Sequence, residues 1–205
     1  VALSTDKAVN PVNLYGATKL CSDKLFISAN NLSGENGTIF SVVRYGNVLG
    51  SRGSVIPVFL REKKNGIIPI TDERMTRFWI SLEDGVKFVS DSLRVMKGGE
   101  IFVPKIPSMK ITDLANAIAP DCKVDVKGVR PGEKIHEIMI SSDDSARTIE
   151  FERKYIICPE KSLVEDKNYI FYGGEKGKLV EESFTYQSDK NNSWLDVEVI
   201  KKMIK

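Results

Sequence analysis

The chain has 205 residues, 41% of them hydrophobic, enough for one sizeable core or two small lobes. Thirty Lys and Arg against 28 Asp and Glu leave a net charge of +2 with no long run of one sign, which argues against a nucleic-acid partner. Cys21, Cys122 and Cys158 are odd in number and lack metal-ligand spacing, so free thiols in a reducing cytoplasm are expected. No signal peptide is visible and no apolar run approaches a membrane span, so no membrane partner is expected.

Val1 to Leu3 have the character of the end of a buried strand, and the polar run Ser4-Thr5-Asp6-Lys7 begins where that character stops. In an α/β sheet, sites form at that edge. Successive strand residues face opposite sides, so Thr5, Asp6 and Lys7 share a pocket only if the strand has already ended. Asn10-Pro11-Val12-Asn13 is a turn signal, with Asn13 the candidate cap of a helix from Tyr15 to Asn30. Tyr15 and Lys19 then stand i, i+4 on one helix face. A phenol, with an ordinary pKa of about 10, is a poor base near neutrality, and a neighbouring ammonium favours its phenolate. A Tyr and a Lys at this spacing are more often plain helix surface. The strand end carrying Thr-Asp-Lys ahead of them is what points to catalysis.

Thr38 to Tyr45 predicts a buried parallel strand ending at Gly46-Asn47-Val48. Gly50 to Pro57 is a loop entering a helix that runs to Lys64, and Arg52 within it offers phosphate a planar fork of donors. Ile67 to Ile70 predicts a short strand, followed by the polar Thr71 to Arg77. Val86, Val89, Leu93 and Met96 have helical spacing within Leu82 to Met96, a scaffold helix. Glu100 to Lys105 is a strand, Lys110 opens a helix that Pro120 stops, and Val124 to Val129 is a last short strand.

That strand delivers Arg130-Pro131-Gly132-Glu133-Lys134-Ile135-His136-Glu137. The Pro-Gly turn fixes an Arg suited to a diphosphate and a carboxylate suited to ribose hydroxyls; the plainer alternative is a charged turn before a helix. His136, the only histidine, falls one turn into that helix and is assigned to packing or surface. Thr148 to Pro159 and Asn168 to Tyr172 are extended segments, Gly173 to Gly177 a turn, and Trp194 to Ile204 an amphipathic helix.

Ser4-Thr5-Asp6-Lys7 followed by Tyr15-Gly16-Ala17-Thr18-Lys19 resembles the active-site half of an extended short-chain dehydrogenase/reductase, the superfamily of nucleotide-sugar dehydratases and epimerases. Retaining dehydratases carry Thr-Asp-Glu where this chain has Thr5-Asp6-Lys7. The nearer similarity is to the inverting UDP-N-acetylglucosamine 4,6-dehydratases, the first enzymes of pseudaminic acid synthesis. Met75-Thr76-Arg77-Phe78, Phe102 to Ile111 and Arg130 to Lys134 are further matches.

The resemblance implies an α/β fold, the C-terminal part of a doubly wound (Rossmann-type) parallel sheet with a smaller α/β substrate-binding lobe. Residues 1–50 and 75–105 fall to the NADP-binding domain, and 51–74 and 106–205 to the UDP-sugar lobe and tail. Thr5, Asp6, Lys7, Tyr15 and Lys19 take the catalytic roles. The cofactor, NADP with NAD not excluded, contacts Tyr15, Lys19, Tyr45, Asn47 and Val48. The substrate, UDP-N-acetylglucosamine, contacts Asn47, Arg52, Thr71, Arg77, Arg130 and Glu133, although Arg77 also suits a plain salt bridge. No metal is implied, and a homo-oligomer is.

No G-x-G-x-x-G follows a strand and opens a helix, so the chain is expected to be a fragment with roughly 120 to 130 residues ahead of Val1. In the implied reaction Tyr15 takes the proton of the sugar 4-hydroxyl, Lys7 that of C5, and Asp6 protonates the departing 6-hydroxyl. Two alternatives stand beside it. One is a UDP-sugar epimerase or reductase of the same superfamily; the other is a non-catalytic UDP-sugar-binding piece.

Overall fold

The computed structural model describes residues 1–34, 37–51, 53–159 and 171–204; Arg52 and residues 168–170 of the extended segment named above lie outside them. The chain opens with β1 (Ala2–Thr5), α1 (Leu14–Ala29) and β2 (Val42–Tyr45). Next come β3 (Asn47–Val48), α2 (Val55–Glu62), β4 (Ile67–Ile70), β5 (Thr76–Ile80) and α3 (Leu82–Val95). The middle supplies β6 (Ile101–Pro104), β7 (Ser108–Lys110), α4 (Ile111–Ile118) and β8 (Lys123–Val126). Then follow β9 (Ile138–Ile140), β10 (Thr148–Glu150), β11 (Lys154–Ile157), β12 (Phe171–Tyr172), β13 (Glu175–Lys176), β14 (Lys178–Leu179), β15 (Tyr186–Gln187) and α5 (Val197–Met203).

These elements form two compact units. The first is Val1–Tyr45 with Glu83–Lys105 and Ile138–Tyr186; the second is Gly46–Leu82 with Ile106–Glu137 and Gln187–Lys205. In the first, a six-stranded sheet has the order β1-β2-β6-β11-β10-β14. β1, β2 and β6 run parallel, with Ala2 opposite Val42 and Val42 opposite Ile101. β2 and β6 are buried on both faces, and Val42, Val43, Phe102 and Val103 are fully buried, whereas Leu3 of β1 is exposed. β11, β10 and β14 then continue the sheet by antiparallel pairs.

The strand expected from Thr38 begins at Val42, because the amide of Asn30 takes both backbone groups of Phe40, accepting from its N–H and donating to its carbonyl at 2.8 Å each. The compact units divide the chain at other places than the expected functional domains. Ile138–Tyr186 joins the first unit because β10, β11 and β14 extend its sheet, while residues 46–50 and 75–82 join the second because β5 pairs with β3 and β7.

In the second unit, β3-β5-β7 and the parallel pair β4-β8 sit with α2, α4 and α5 around Phe59, Ile68, Trp79, Met109, Leu114 and Ile200. Ile135 to Glu137, expected to begin a helix, are irregular and run into β9. Their backbone is claimed by β5: Thr76 N–H donates to the Ile135 carbonyl at 3.0 Å. No described helix is long and apolar enough to cross a membrane. All three cysteines are free thiols.

Candidate active site

β1 ends at Thr5 and a 3-10 turn, Asp6–Ala8, takes over, so Asp6 and Lys7 are released from strand alternation. The Thr5 side chain caps the turn, accepting from Lys7 N–H at 3.4 Å, and its hydroxyl donates to Asp6 Oδ1 at 2.9 Å. Lys7 Nζ donates to the same oxygen at 3.0 Å. Asp6 is 0% exposed, and its other oxygen, Oδ2, has no hydrogen-bond partner among the described residues. Three consecutive side chains thus meet on one carboxylate.

α1 begins with Asn13 as its cap, whose side chain accepts from Gly16 N–H at 2.8 Å. Tyr15 follows immediately and is 53% exposed. One turn on, Lys19 Nζ donates to the Leu3 carbonyl of β1 at 3.0 Å, tying the helix to the strand that carries Thr5. Tyr45, at the end of β2, keeps its proton more firmly than an ordinary phenol. Burial is the main cause, and the neighbouring Tyr15 adds to it.

What holds α1 is a buried ion pair. Arg44, in the middle of β2, donates from Nη2 to Asp23 Oδ2 on α1 at 3.3 Å and from Nη1 to the Met139 carbonyl at 2.9 Å, and Asp144 lies at 3.9 Å. Arg44 and Asp23 are almost completely buried and line a cavity of about 420 Å³ beside the Ala8 to Pro11 segment.

The remaining candidates lie in the second unit. Asn47 and Val48 form β3, paired in parallel with Trp79 and Ile80. Thr71 is half-buried and precedes a turn in which Arg74 holds Asp72 by side-chain and backbone hydrogen bonds, lowering that carboxyl to about 2. Arg130 projects into solvent with a 77% exposed side chain, 3.8 Å from Glu133 Oε1, while Glu133 Oε2 is buried without a hydrogen-bond partner among the described residues. Arg77 is largely committed to the fold: Nη1 donates to the Thr76 and Ile135 carbonyls at 2.7 and 3.0 Å, and Nη2 to the Lys134 carbonyl at 2.9 Å. His136 packs with Thr76, Nδ1 to Oγ1 at 2.8 Å.

A model of the family described as polysaccharide biosynthesis protein matches residues 1–159. The chain belongs to that family. It is 61% identical over 198 residues to an inverting UDP-N-acetylglucosamine 4,6-dehydratase of Campylobacter jejuni, a match covering 95% of this chain and 59% of that relative. Among solved structures it resembles Pen from Bacillus thuringiensis, with a TM-score of 0.83 at 32% identity over 98% of this chain and 60% of that one. DesIV, a dTDP-glucose 4,6-dehydratase from Streptomyces venezuelae, shares the fold, with a TM-score of 0.57 at 19% identity over 65% of this chain and 48% of that one. The chain thus spans about three fifths of the length of the C. jejuni relative, by the 59% coverage.

In this member of the polysaccharide biosynthesis family, Gly16 sets the distance between α1 and the Asp6–Ala8 turn. A Cβ there would stand 2.3 Å from the Lys7 carbonyl oxygen. Ala at an open helix position is favoured over Gly by about 1 kcal/mol, but overpacking costs about 1–3 kcal/mol, and a backbone oxygen cannot swing aside. Gly16→Ala is therefore expected to destabilise the fold on urea unfolding and to displace Tyr15 from the turn. The sequence reading missed Arg44 and Asp23, yet a signal was present. A charged residue inside the apolar run Val42-Val43-Arg44-Tyr45 requires a buried partner.

Proposed function

We propose that this protein is an inverting UDP-N-acetylglucosamine 4,6-dehydratase that forms UDP-2-acetamido-2,6-dideoxy-β-L-arabino-hex-4-ulose, the first step of pseudaminic acid synthesis. The observation that carries this reading is the Lys7 ammonium 3.0 Å from the buried Asp6 carboxylate, on the turn that α1 packs against with Tyr15 and Lys19. The identity to the C. jejuni enzyme of that name supports it.

Elimination across C5 and C6 requires a base for the C5 proton and an acid for the departing 6-hydroxyl. As an ion pair, Lys7 and Asp6 hold the opposite protonation states. Transfer of one proton from Nζ to Oδ1 across the 3.0 Å contact produces both required states at once, an amine and a carboxylic acid. Lys7 then takes the C5 proton, Asp6 gives its proton to the 6-hydroxyl oxygen, and water leaves. The pair returns to ammonium and carboxylate. Reprotonation at C5 from the opposite face, by a proton from solvent that balances the one Tyr15 takes from the 4-hydroxyl, inverts that centre.

Tyr15 removes the proton of the 4-hydroxyl, with Thr5 and the Lys19 ammonium beside it. Lys19 spends one of its three hydrogens on Leu3, which leaves two for the phenolate and for ribose hydroxyls. Tyr15 and Lys19, with Tyr45, suit a nicotinamide cofactor, NADP in this reading. A nicotinamide held by these residues would supply the hydride chemistry, removal at C4 and return at C6, without net consumption. Arg130 serves the diphosphate and Glu133 the ribose, with Asn47, Arg52 and Thr71 on the same substrate. A homo-oligomer acting in the cytoplasm completes the reading.

Lys7→Ala tests the assignment. In the full-length protein with NADP in D2O, deuterium incorporation at C5 is expected to fall by ~10²-fold or more. Full retention of C5 exchange would remove Lys7 as the base.

A further inference from the structure

Three stretches of the second unit meet at one hydroxyl. Thr76 Oγ1, on β5 and almost fully buried, lies 2.8 Å from His136 Nδ1 and 2.6 Å from Ser188 Oγ. Ser188 in turn bridges to the backbone of the 134–137 segment: its Oγ accepts from Glu137 N–H and its own N–H donates to the Glu137 carbonyl, both at 2.9 Å. The Ser188–Thr76 and Thr76–His136 contacts can run in either direction, set by the imidazole tautomer; Ser188 Oγ also reaches the Thr76 carbonyl at 3.4 Å, and His136 Nε2 stands 3.8 Å from Asp189 Oδ2. Next to it, the three carbonyl contacts of Arg77 fasten Lys134 and Ile135 to the same strand.

We propose that Thr76, with Arg77, His136 and Ser188, forms a clasp whose role is to position the Arg130 to Glu133 turn for a nucleoside diphosphate. Arg77 is then a positioning residue rather than a ligand. The inference rests on the UDP-sugar reading of Arg130 and Glu133 and deepens it. The Arg130 side chain is 77% exposed, and among the described residues its ion pair is the 3.8 Å approach to Glu133, so it has little of its own to fix its direction. The chain that carries it is anchored immediately downstream, through Lys134 to Glu137, and the clasp supplies that anchor. Loss of the Thr76 hydroxyl removes the partner of His136 Nδ1 and one contact of Ser188 Oγ, while the side-chain volume is nearly kept by Val.

The test is calorimetric titration of UDP into the full-length protein, with steady-state kinetics on UDP-N-acetylglucosamine in parallel. Thr76→Val is expected to weaken UDP by about tenfold and to raise KM similarly, with kcat changed less than threefold, while Thr76→Ser retains wild-type affinity. Arg130→Ala is the control for the underlying reading. If it weakens UDP while Thr76→Val binds as tightly as wild type, the clasp is overturned and the UDP site stands. If Thr76→Ser binds as poorly as Thr76→Val, the hydroxyl is not the anchor and the inference fails. If Arg130→Ala leaves UDP affinity unchanged, the diphosphate reading falls, and the inference with it.

Discussion

Replacing Tyr15 by Phe is expected to lower kcat for water elimination by ~10²- to 10⁴-fold, the range that a positioned acid or base contributes. The change removes one hydroxyl from a ring that is half in solvent, so it leaves the core untouched. The cap of α1 uses Asn13 and Gly16, and the tie of α1 to β1 runs through Lys19, so neither depends on the Tyr15 hydroxyl. No second phenol substitutes for it, because burial holds the Tyr45 proton more firmly than usual. A full time course of product formation at saturating substrate measures the loss, and calorimetric titration of UDP is expected to give wild-type affinity. A variant that retained more than a tenth of wild-type kcat would remove Tyr15 from the chemistry.

Arg44→Met is expected to cost about 3–5 kcal/mol of stability, the range for breaking a buried pair by removing one partner. Asp23 then keeps a buried carboxylate with no cation against it, since its ion pair is with Arg44. The lost bond to the Met139 carbonyl adds an unsatisfied acceptor. The double variant Arg44→Met with Asp23→Leu removes both charges and is expected to recover most of the loss, because an apolar replacement of a whole buried pair is often neutral. Urea unfolding of the three proteins measures this. The pair also matters to the site: it clamps α1 to β2, and α1 carries Tyr15 and Lys19.

Where the sequence could be read, local chemistry carried the information. Thr5-Asp6-Lys7 at a strand end, Asn13 as a cap and the i, i+4 spacing of Tyr15 and Lys19 each depend on a few neighbouring residues, and the structure has the strand end, the cap and the helix where they were expected. Where the sequence was misleading, a distant partner decided the outcome. Thr38 to Ser41 have strand composition, but Asn30 occupies the backbone of Phe40. Ile135 to Glu137 follow a Pro-Gly turn like a helix start, but Thr76, Arg77 and Ser188 take up their backbone groups and leave the segment irregular. The compact units divide the chain elsewhere for the same reason: the pairing of β11 with β6 joins residues about fifty positions apart, and no local pattern encodes it. Arg77, singled out for its charge, proved to be bound to carbonyls that only the fold brings near.

The measurement that tests the central claim most directly is proton NMR of UDP-N-acetylglucosamine in D2O with NADP and the full-length protein. The account predicts a 6-methyl, 4-keto product that carries deuterium at C5 and shows the ring couplings of the inverted configuration there. A methyl product with retained C5 configuration would contradict the role given to Lys7, and the absence of any methyl signal would contradict the dehydratase itself.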